Sequence, residues 1–147
     1  MRAKAILSIL VAAVLCSPWA LGGCGRGRKK ASNSEYVLGL LHESWVNARA
    51  GLQKDPPDLG PLRGIHVMLG TRAPRRVEKD YAGPNKQQLL ERLITLRDAY
   101  EAQIVPKLNL QGMEVVLQPP ATADEVRIAF AELDKQYRQI EDLLNQP

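Results

Sequence analysis

The strongest constraint on the fold is a helical segment near the carboxyl end of the chain. Thr122 and Glu125 match a capping box, in which each side chain bonds the free backbone amide of the other residue. Apolar residues then recur at intervals of four and three: Val126, Phe130, Leu133, Tyr137, Ile140 and Leu144. This 3.5-residue period is typical of helices that pack at a shallow angle. Residues 122–145 are therefore predicted to form a helix that needs a partner surface.

Two earlier segments have the same kind of periodicity and are predicted to supply that surface. Residues 34–54 have Ser34 as the predicted N-cap and end before Pro56, since a proline disfavours helical geometry in the residue before it. Residues 85–105 have Asn85 as the predicted cap and end at Pro106. The apolar residues of the two segments are Val37, Leu40, Leu41, Trp45, Ala48 and Leu52, then Leu89, Leu93, Leu96, Tyr100 and Ile104.

Three amphipathic helices within residues 34–147 predict one all-α domain, a small bundle of three or four helices. The last helix could instead form a dimeric coiled coil, although its heptad pattern is short for that and two sibling helices can cover it. The only strand-like run is 113–117, which is too little for a stable sheet and is predicted to be an extended connector. Trp45 is predicted to lie in the core.

Residues 55–84 are predicted to be an irregular connection because they are rich in proline and glycine. A connection this long between helices is often functional. It contains an apolar island, 65–69, and the alternative is a short fourth helix or buried strap over 62–69. It also contains a local basic patch of Lys79 with Arg72, Arg75 and Arg76, whose guanidinium groups suit phosphate or carboxylate groups. These three arginines are the predicted partner-binding residues, and solvated surface is the alternative interpretation.

The first residues of the chain have the order of a secretory signal: a basic start, an apolar run from Ala5 to Leu15, and small residues before Cys24. The sequence Leu21-Gly22-Gly23-Cys24 resembles the lipobox of bacterial lipoproteins. The resemblance implies that residues 1–23 are removed and that Cys24 carries a diacylglycerol, with palmitate as a typical acyl chain. The predicted partner of Cys24 is therefore a membrane.

The resemblance also implies a location in the bacterial cell envelope. Gly25 follows the modified cysteine, whereas enteric lipoproteins of this kind that stay at the inner membrane have an acidic residue there, so the outer membrane facing the periplasm is preferred. Residues 24–33 are predicted to be a basic, flexible tether. Cys16 should leave with the leader, and the mature chain then has no second cysteine for a disulfide.

The charge of the domain argues against a nucleic-acid partner. Four cations lie in the tether, and residues 31–147 contain 14 basic and 16 acidic side chains, a net charge of −2. The overall pI of about 9.2 therefore reflects the leader and tether and not a basic domain. An envelope protein or an anionic envelope component is the predicted partner.

No catalytic motif is present in the sequence. His42 and Glu43 lack the second histidine of a zinc-protease helix, and a metal site would require His42 and His66 to meet with a carboxylate. Neither a metal nor a cofactor is predicted. Helical pairs such as Glu91 with Arg92 and Asp134 with Arg138 are predicted to be surface salt bridges.

Three functions are compatible with the sequence. The leading hypothesis is a non-catalytic adaptor, scaffold or assembly module. The second is a small-ligand-binding or sensor domain with a pocket between the bundle and residues 55–84. An enzyme assembled from distant residues is the third.

Overall fold

The structure is a computed structural model, and it describes residues 32–146. Five α-helices account for most of this part: α1 (Asn33–Leu52), α2 (Gly60–Val67), α3 (Ala73–Asp80), α4 (Lys86–Gln103) and α5 (Ala123–Leu144). A π-helical turn, Met68–Arg72, joins α2 to α3 without a break, so these two helices form one long arm. With the arm counted as one helix, the bundle has four helices. The predicted all-α bundle is confirmed, in its four-helix form.

Capping boxes fix the residues at which α1 and α5 begin. Thr122 and Glu125 form the predicted capping box, with the Thr122 amide donating to Glu125 Oε2 at 2.8 Å. The N-cap of α1 is Ser32 and not Ser34, because Ser32 pairs with Glu35 in a second capping box. Asn85 lies at the N-cap of α4 but makes no side-chain cap bond. Its side-chain amide donates to the Gln146 side chain instead.

The prediction of an irregular connection over 55–84 is wrong for most of its length, and the alternative, a short fourth helix over 62–69, is confirmed. Residues 60–80 are helical, and only the segments before and after them are loops. Pro61 lies in the first turn of α2, where a missing backbone N–H removes no helical hydrogen bond, and Pro74 lies at the start of α3, directly after the π-helical turn. The apolar residues on this arm are buried against the bundle: Leu62, Ile65, Met68, Leu69, Ala73 and Val77.

The π-helical turn has a local cause in the sequence. Pro74 cannot donate a backbone hydrogen bond, and its ring would collide with the carbonyl of Gly70 in a regular α-helix. The backbone widens here, and the Ala73 amide donates to the carbonyl of Met68, five residues earlier. One extra residue is thereby accommodated within the helical arm.

The arm packs against α1 on one side and against α4 on the other, and α5 packs against α4. The core between them contains Trp45, Tyr100 and Tyr137 among aliphatic side chains, and the prediction that Trp45 is buried is confirmed. Burying side chains of this size contributes about 1.5–3 kcal/mol each.

A short hairpin lies between α4 and α5, at the end of the bundle away from Ser32. After a 3-10 turn, Val105–Lys107, strand β1 (Leu108–Asn109) pairs antiparallel with β2 (Val116–Leu117). The strand-like run therefore forms only a two-residue pairing. Arg63 on α2 holds the hairpin by donating to the backbone carbonyls of Leu110, Gly112 and Met113.

Candidate functional site: a basic cleft on the α2–α3 arm

Four cations are brought together on the outer side of the α2–α3 arm. Arg72 ends the π-helical turn, and Arg75, Arg76 and Lys79 follow on α3. These residues and Thr71 line a surface cavity of about 300 Å³, referred to below as the basic cleft. Because a helix turns about 100° per residue, positions 72, 75, 76 and 79 share one face.

The opposite side of α3 is apolar and fixes the orientation of this face. Ala73, Pro74 and Val77 are buried, and Ala73 and Val77 have no exposed surface. Arg72 and Arg75 are exposed to solvent. Burial of one side of the helix therefore directs the basic side outward.

The charges of the basic cleft are only partly compensated. Arg76 is half-buried and pairs with Asp80 on the same helix, with 3.5 Å between Nη1 and Oδ2. Within residues 32–146, Arg72, Arg75 and Lys79 make no ion pair or side-chain hydrogen bond. Glu78 is the other acidic residue on α3. Because each residue turns the helix by about 100°, Glu78 lies beside the basic face and not on it. The three predicted arginines are thus together, and the cleft has unpaired donors.

A second group of polar side chains joins α1 to α5. It was not predicted from the sequence. Trp45 Nε1 donates to Asp134 Oδ1 at 2.7 Å, and Arg49 Nε donates to the same oxygen at 2.6 Å. His42 Nδ1 lies 3.1 Å from Glu141 Oε1, and Arg49 Nη2 lies 3.4 Å from Glu141 Oε2. We call this group the α1–α5 seam.

Aromatic rings fill the α1–α5 seam beneath these polar groups. The Trp45 ring stacks on Tyr137 with centroids 4.3 Å apart and on Phe130 at 5.1 Å. Arg49 lies over the Tyr137 ring, 5.8 Å from its centroid. Burial, followed by the charge of Glu141, raises the pKa of Tyr137, so its hydroxyl is protonated at neutral pH.

The seam also raises the pKa of Arg49. Burial alone would lower the pKa of Arg49, but its hydrogen bond to Asp134 and the charges of Asp134 and Glu141 outweigh this and raise the pKa. The guanidinium therefore stays charged and remains engaged with both carboxylates. An open cavity of about 450 Å³ lies next to this network, with Leu52 and Phe130 in its wall.

The helical ion pairs proposed from the sequence have mixed outcomes. Arg138 and Asp134 do pair, with 3.3 Å between Nη2 and Oδ2, but Asp134 is mostly buried and belongs chiefly to the seam. The pairing of Glu91 with Arg92 is wrong, because Gln87 donates to Glu91 and Arg92 donates to Gln139 on α5.

The two histidines lie against different carboxylates. His42 faces Glu141, and His66 Nδ1 lies 3.0 Å from Glu101 Oε1, outside hydrogen-bond geometry. Among residues 32–146, no three side chains of the His, Cys, Asp or Glu types are arranged to hold a metal ion.

Cys24 and the predicted leader lie outside the described residues. In the described part of the chain, no helix combines the length and apolar character needed to cross a bilayer. The sequence matches no protein-family model, and no curated protein and no solved structure matches the chain with significance.

Proposed function

We propose that the chain is a lipid-anchored protein of the bacterial cell envelope, and that its helical domain is a non-catalytic binding or adaptor module. The basic cleft takes an anionic group carried by another envelope component. The observation that carries this proposal is the convergence of Arg72, Arg75 and Lys79 on one exposed face without acidic partners in the described structure.

The side chains of the cleft have the chemistry for phosphate or carboxylate recognition. A guanidinium group presents a planar fork of N–H donors that binds two oxygens of one anion. Lys79 adds a point charge, and the Thr71 hydroxyl adds a neutral donor at the edge of the cavity. The π-helical turn under Thr71 and Arg72 supports the proposal as well, because such turns occur frequently at functional sites.

The anchor is tested by replacing its cysteine. The lipobox resemblance predicts that Cys24→Ala abolishes metabolic labelling with palmitate and leaves the protein unanchored or uncleaved. Cys16→Ala is the matched control, since Cys16 lacks the small residues of the lipobox before it, and it should label as the unchanged chain does. Palmitate labelling of the Cys24→Ala protein would contradict the assignment of the anchor.

The binding role is tested by crosslinking in intact cells, with identification of the trapped component. We expect Arg72→Gln/Arg75→Gln to weaken capture, because it removes two unpaired cations of the cleft without changing helix length. Lys135→Gln/Arg138→Gln is the control, since it removes two exposed cations from α5. Equal capture by the two variants, with helix content unchanged by circular dichroism, would exclude the cleft as the binding site.

A small-ligand-binding or sensor domain is the second candidate function. The observation that favours it is the cavity of about 450 Å³ at the α1–α5 seam, where Arg49 and Arg127 flank the apolar side chains of Leu52 and Phe130. This volume is within the range of ligand pockets. Ala131→Trp would fill the cavity, and a small molecule that copurifies with the unchanged chain but not with this variant would favour the sensor function.

A further inference from the structure

The height of the basic cleft relative to the anchor follows from the packing of the arm on α1. The two come close at Gly64 and Ser44, where a Cβ built on Gly64 would be 2.7 Å from Ser44 Oγ. Only residues 53–59 connect α1 to α2, and both α2 and α3 pack against α1, so the chain turns back and the arm runs antiparallel to α1. Arg76 follows Gly64 by twelve residues, and Ser32 precedes Ser44 by twelve residues. Because the two helices run in opposite directions, both steps lead to the same end of the bundle. The step along α1 covers about 18 Å, and the step along the arm covers about 16–18 Å because its π-helical turn accommodates one extra residue.

Arg76 therefore lies close to the level of Ser32, the residue at which the tether joins the domain. Arg72 lies about 6 Å back along the arm toward Gly64, and Lys79 lies about 4.5 Å beyond Arg76 in the opposite direction. The basic cleft is at the anchored end of the bundle. The hairpin with the exposed Met113 is at the other end.

The distance from this end of the bundle to the lipid is limited by the chain itself. Eight peptide units separate Cys24 from Ser32, and they span at most about 28 Å when fully extended. The cleft is thus confined to within a few nanometres of the bilayer to which Cys24 is attached. Such confinement raises the effective concentration of headgroups at the cleft to the millimolar range or above.

We infer that the anionic group taken by the basic cleft is the phosphate of anionic phospholipid headgroups in the membrane that carries the anchor. This inference rests on the proposed function and names its ligand. The α3 face lies against the bilayer surface, and Arg72, Arg75 and Lys79 contact headgroup phosphates while Arg76 stays paired with Asp80. Glu78 and Asp80 flank the cationic face, so only one orientation of α3 presents unpaired cations to the lipid.

The consequence of this arrangement is a fixed orientation of the domain. The lipid at Cys24 restrains one point, and the α3 face adds a second contact. Two contacts on one side of the bundle hold the opposite end, with Arg63 and the hairpin, away from the membrane. A partner protein would then meet that end first.

The test uses a chain that begins at Ser32, which lacks both the lipid and the tether cations. All buried core residues lie between Val37 and Ile140, so this chain retains every packing contact described. Its partitioning is measured by cosedimentation at low ionic strength. The vesicles contain phosphatidylglycerol in phosphatidylcholine, or phosphatidylcholine alone.

We expect partitioning to the phosphatidylglycerol vesicles and little to phosphatidylcholine alone. Each cation near an anionic surface contributes about fivefold, so Arg72→Gln/Arg75→Gln should lower the partition coefficient about 30-fold. Lys135→Gln/Arg138→Gln removes the same charge from α5 and should lower it by less than about fivefold.

Two outcomes would overturn the inference. The first is an equal loss in the two variants, which would mean diffuse attraction of the whole domain. The second is no partitioning to phosphatidylglycerol vesicles while inorganic phosphate shifts the amide resonances of Arg72 and Arg75 in a titration. In that second case the cleft takes a soluble anion, and the proposed binding function stands without the membrane contact.

Discussion

Helix α1 has two neighbours that it contacts in opposite ways. Its contact with the α2–α3 arm is close and depends on small residues, with Gly64 against Ser44 and Ala48 and Ala73 fully buried. Its contact with α5 is wide, and large rings and polar bridges span it. Backbones that approach closely leave no room for a binding cavity, whereas a seam spanned by side chains leaves spaces beside them.

The two contacts give one bundle both a rigidly placed arm and polar side chains beside an open cavity. The close contact fixes the arm, and through it the basic cleft, at a set height on α1. The α1–α5 seam depends on a few hydrogen bonds in a partly solvated setting, and the open cavity lies along it. Substitutions on the arm side of α1 should therefore change the free energy of unfolding through added volume. Substitutions in the α1–α5 seam should change it through the loss of an aromatic ring or a hydrogen-bond partner.

The largest expected effect comes from removing a ring from the α1–α5 seam. Phe130→Ala should lower the free energy of unfolding by about 3–5 kcal/mol, because a buried aromatic stacked on Trp45 is lost. Ile128→Ala on the same helix is the control, since Ile128 is 68% exposed, and it should cost less than about 0.5 kcal/mol. Urea unfolding of both variants measures the difference, and similar midpoints would contradict the described role of α5's inner face.

A smaller effect is expected from removing the carboxylate of the seam. Asp134→Ala leaves the Trp45 Nε1–H without its acceptor and takes one of two partners from Arg49. Leaving a buried donor unsatisfied costs about 1–3 kcal/mol, and we expect a loss of about 2 kcal/mol. Glu132→Ala removes an exposed carboxylate whose ion pair in the described structure is with Lys135, and it should cost under about 1 kcal/mol. If thermal unfolding shows equal losses, the polar bridges do not stabilise the seam.

The smallest effect tests, with one methyl group, the close packing where α1 ends and the chain turns toward the arm. A Cβ at Gly51 would lie 2.6 Å from the backbone carbonyl oxygen of Asp58, so Gly51→Ala should be destabilising. The overlap costs about 1–3 kcal/mol and exceeds the gain of about 1 kcal/mol in helix propensity. Gly39→Ala adds the same methyl group to α1 where nothing lies within 4 Å, and it should stabilise by about 0.5–1 kcal/mol. Opposite signs in differential scanning fluorimetry are expected, and two stabilised variants would contradict the close approach.

The parts of the fold that could be predicted from sequence depend on neighbouring residues. The capping box and apolar period of α5 predicted 122–145, and α5 is Ala123–Leu144 with its inner residues buried. Helices over 34–54 and 85–105 were predicted for the same reason and lie within two residues of α1 and α4 at each end. Local hydrogen bonding and one-sided burial determine all three.

A short helix over 62–69 was one interpretation of the segment, but the full arm over 60–80 was not predicted because its prolines and glycines were interpreted as breaks. Their effect depends on position within a helix: Pro61 and Pro74 lie in first turns, and Gly64 lies at a close contact. A signal was present nevertheless, since Leu62, Ile65, Leu69, Ala73 and Val77 are spaced by three, four, four and four.

The candidate site was only partly predictable. Arg72, Arg75, Arg76 and Lys79 are close in sequence, so their clustering required no knowledge of the fold, and only the contribution of Thr71 to the cleft did. The α1–α5 seam could not be predicted in this way. Trp45 and Arg49 are separated from Asp134 by 89 and 85 residues, and nothing local marks Asp134 as their shared acceptor.

The π-helical turn gives the arm a tolerance for changes in chain length. A deletion in a regular helix rotates everything beyond it by about 100°, which would move the α3 cations off their face and Val77 out of the core. Between Met68 and Arg72 the arm already contains one surplus residue. Loss of a residue there, combined with replacement of Pro74, would restore ordinary helical pitch and leave the angular phase of α3 unchanged. This one turn is therefore where the arm can lose a residue while both its buried and its charged faces stay in register.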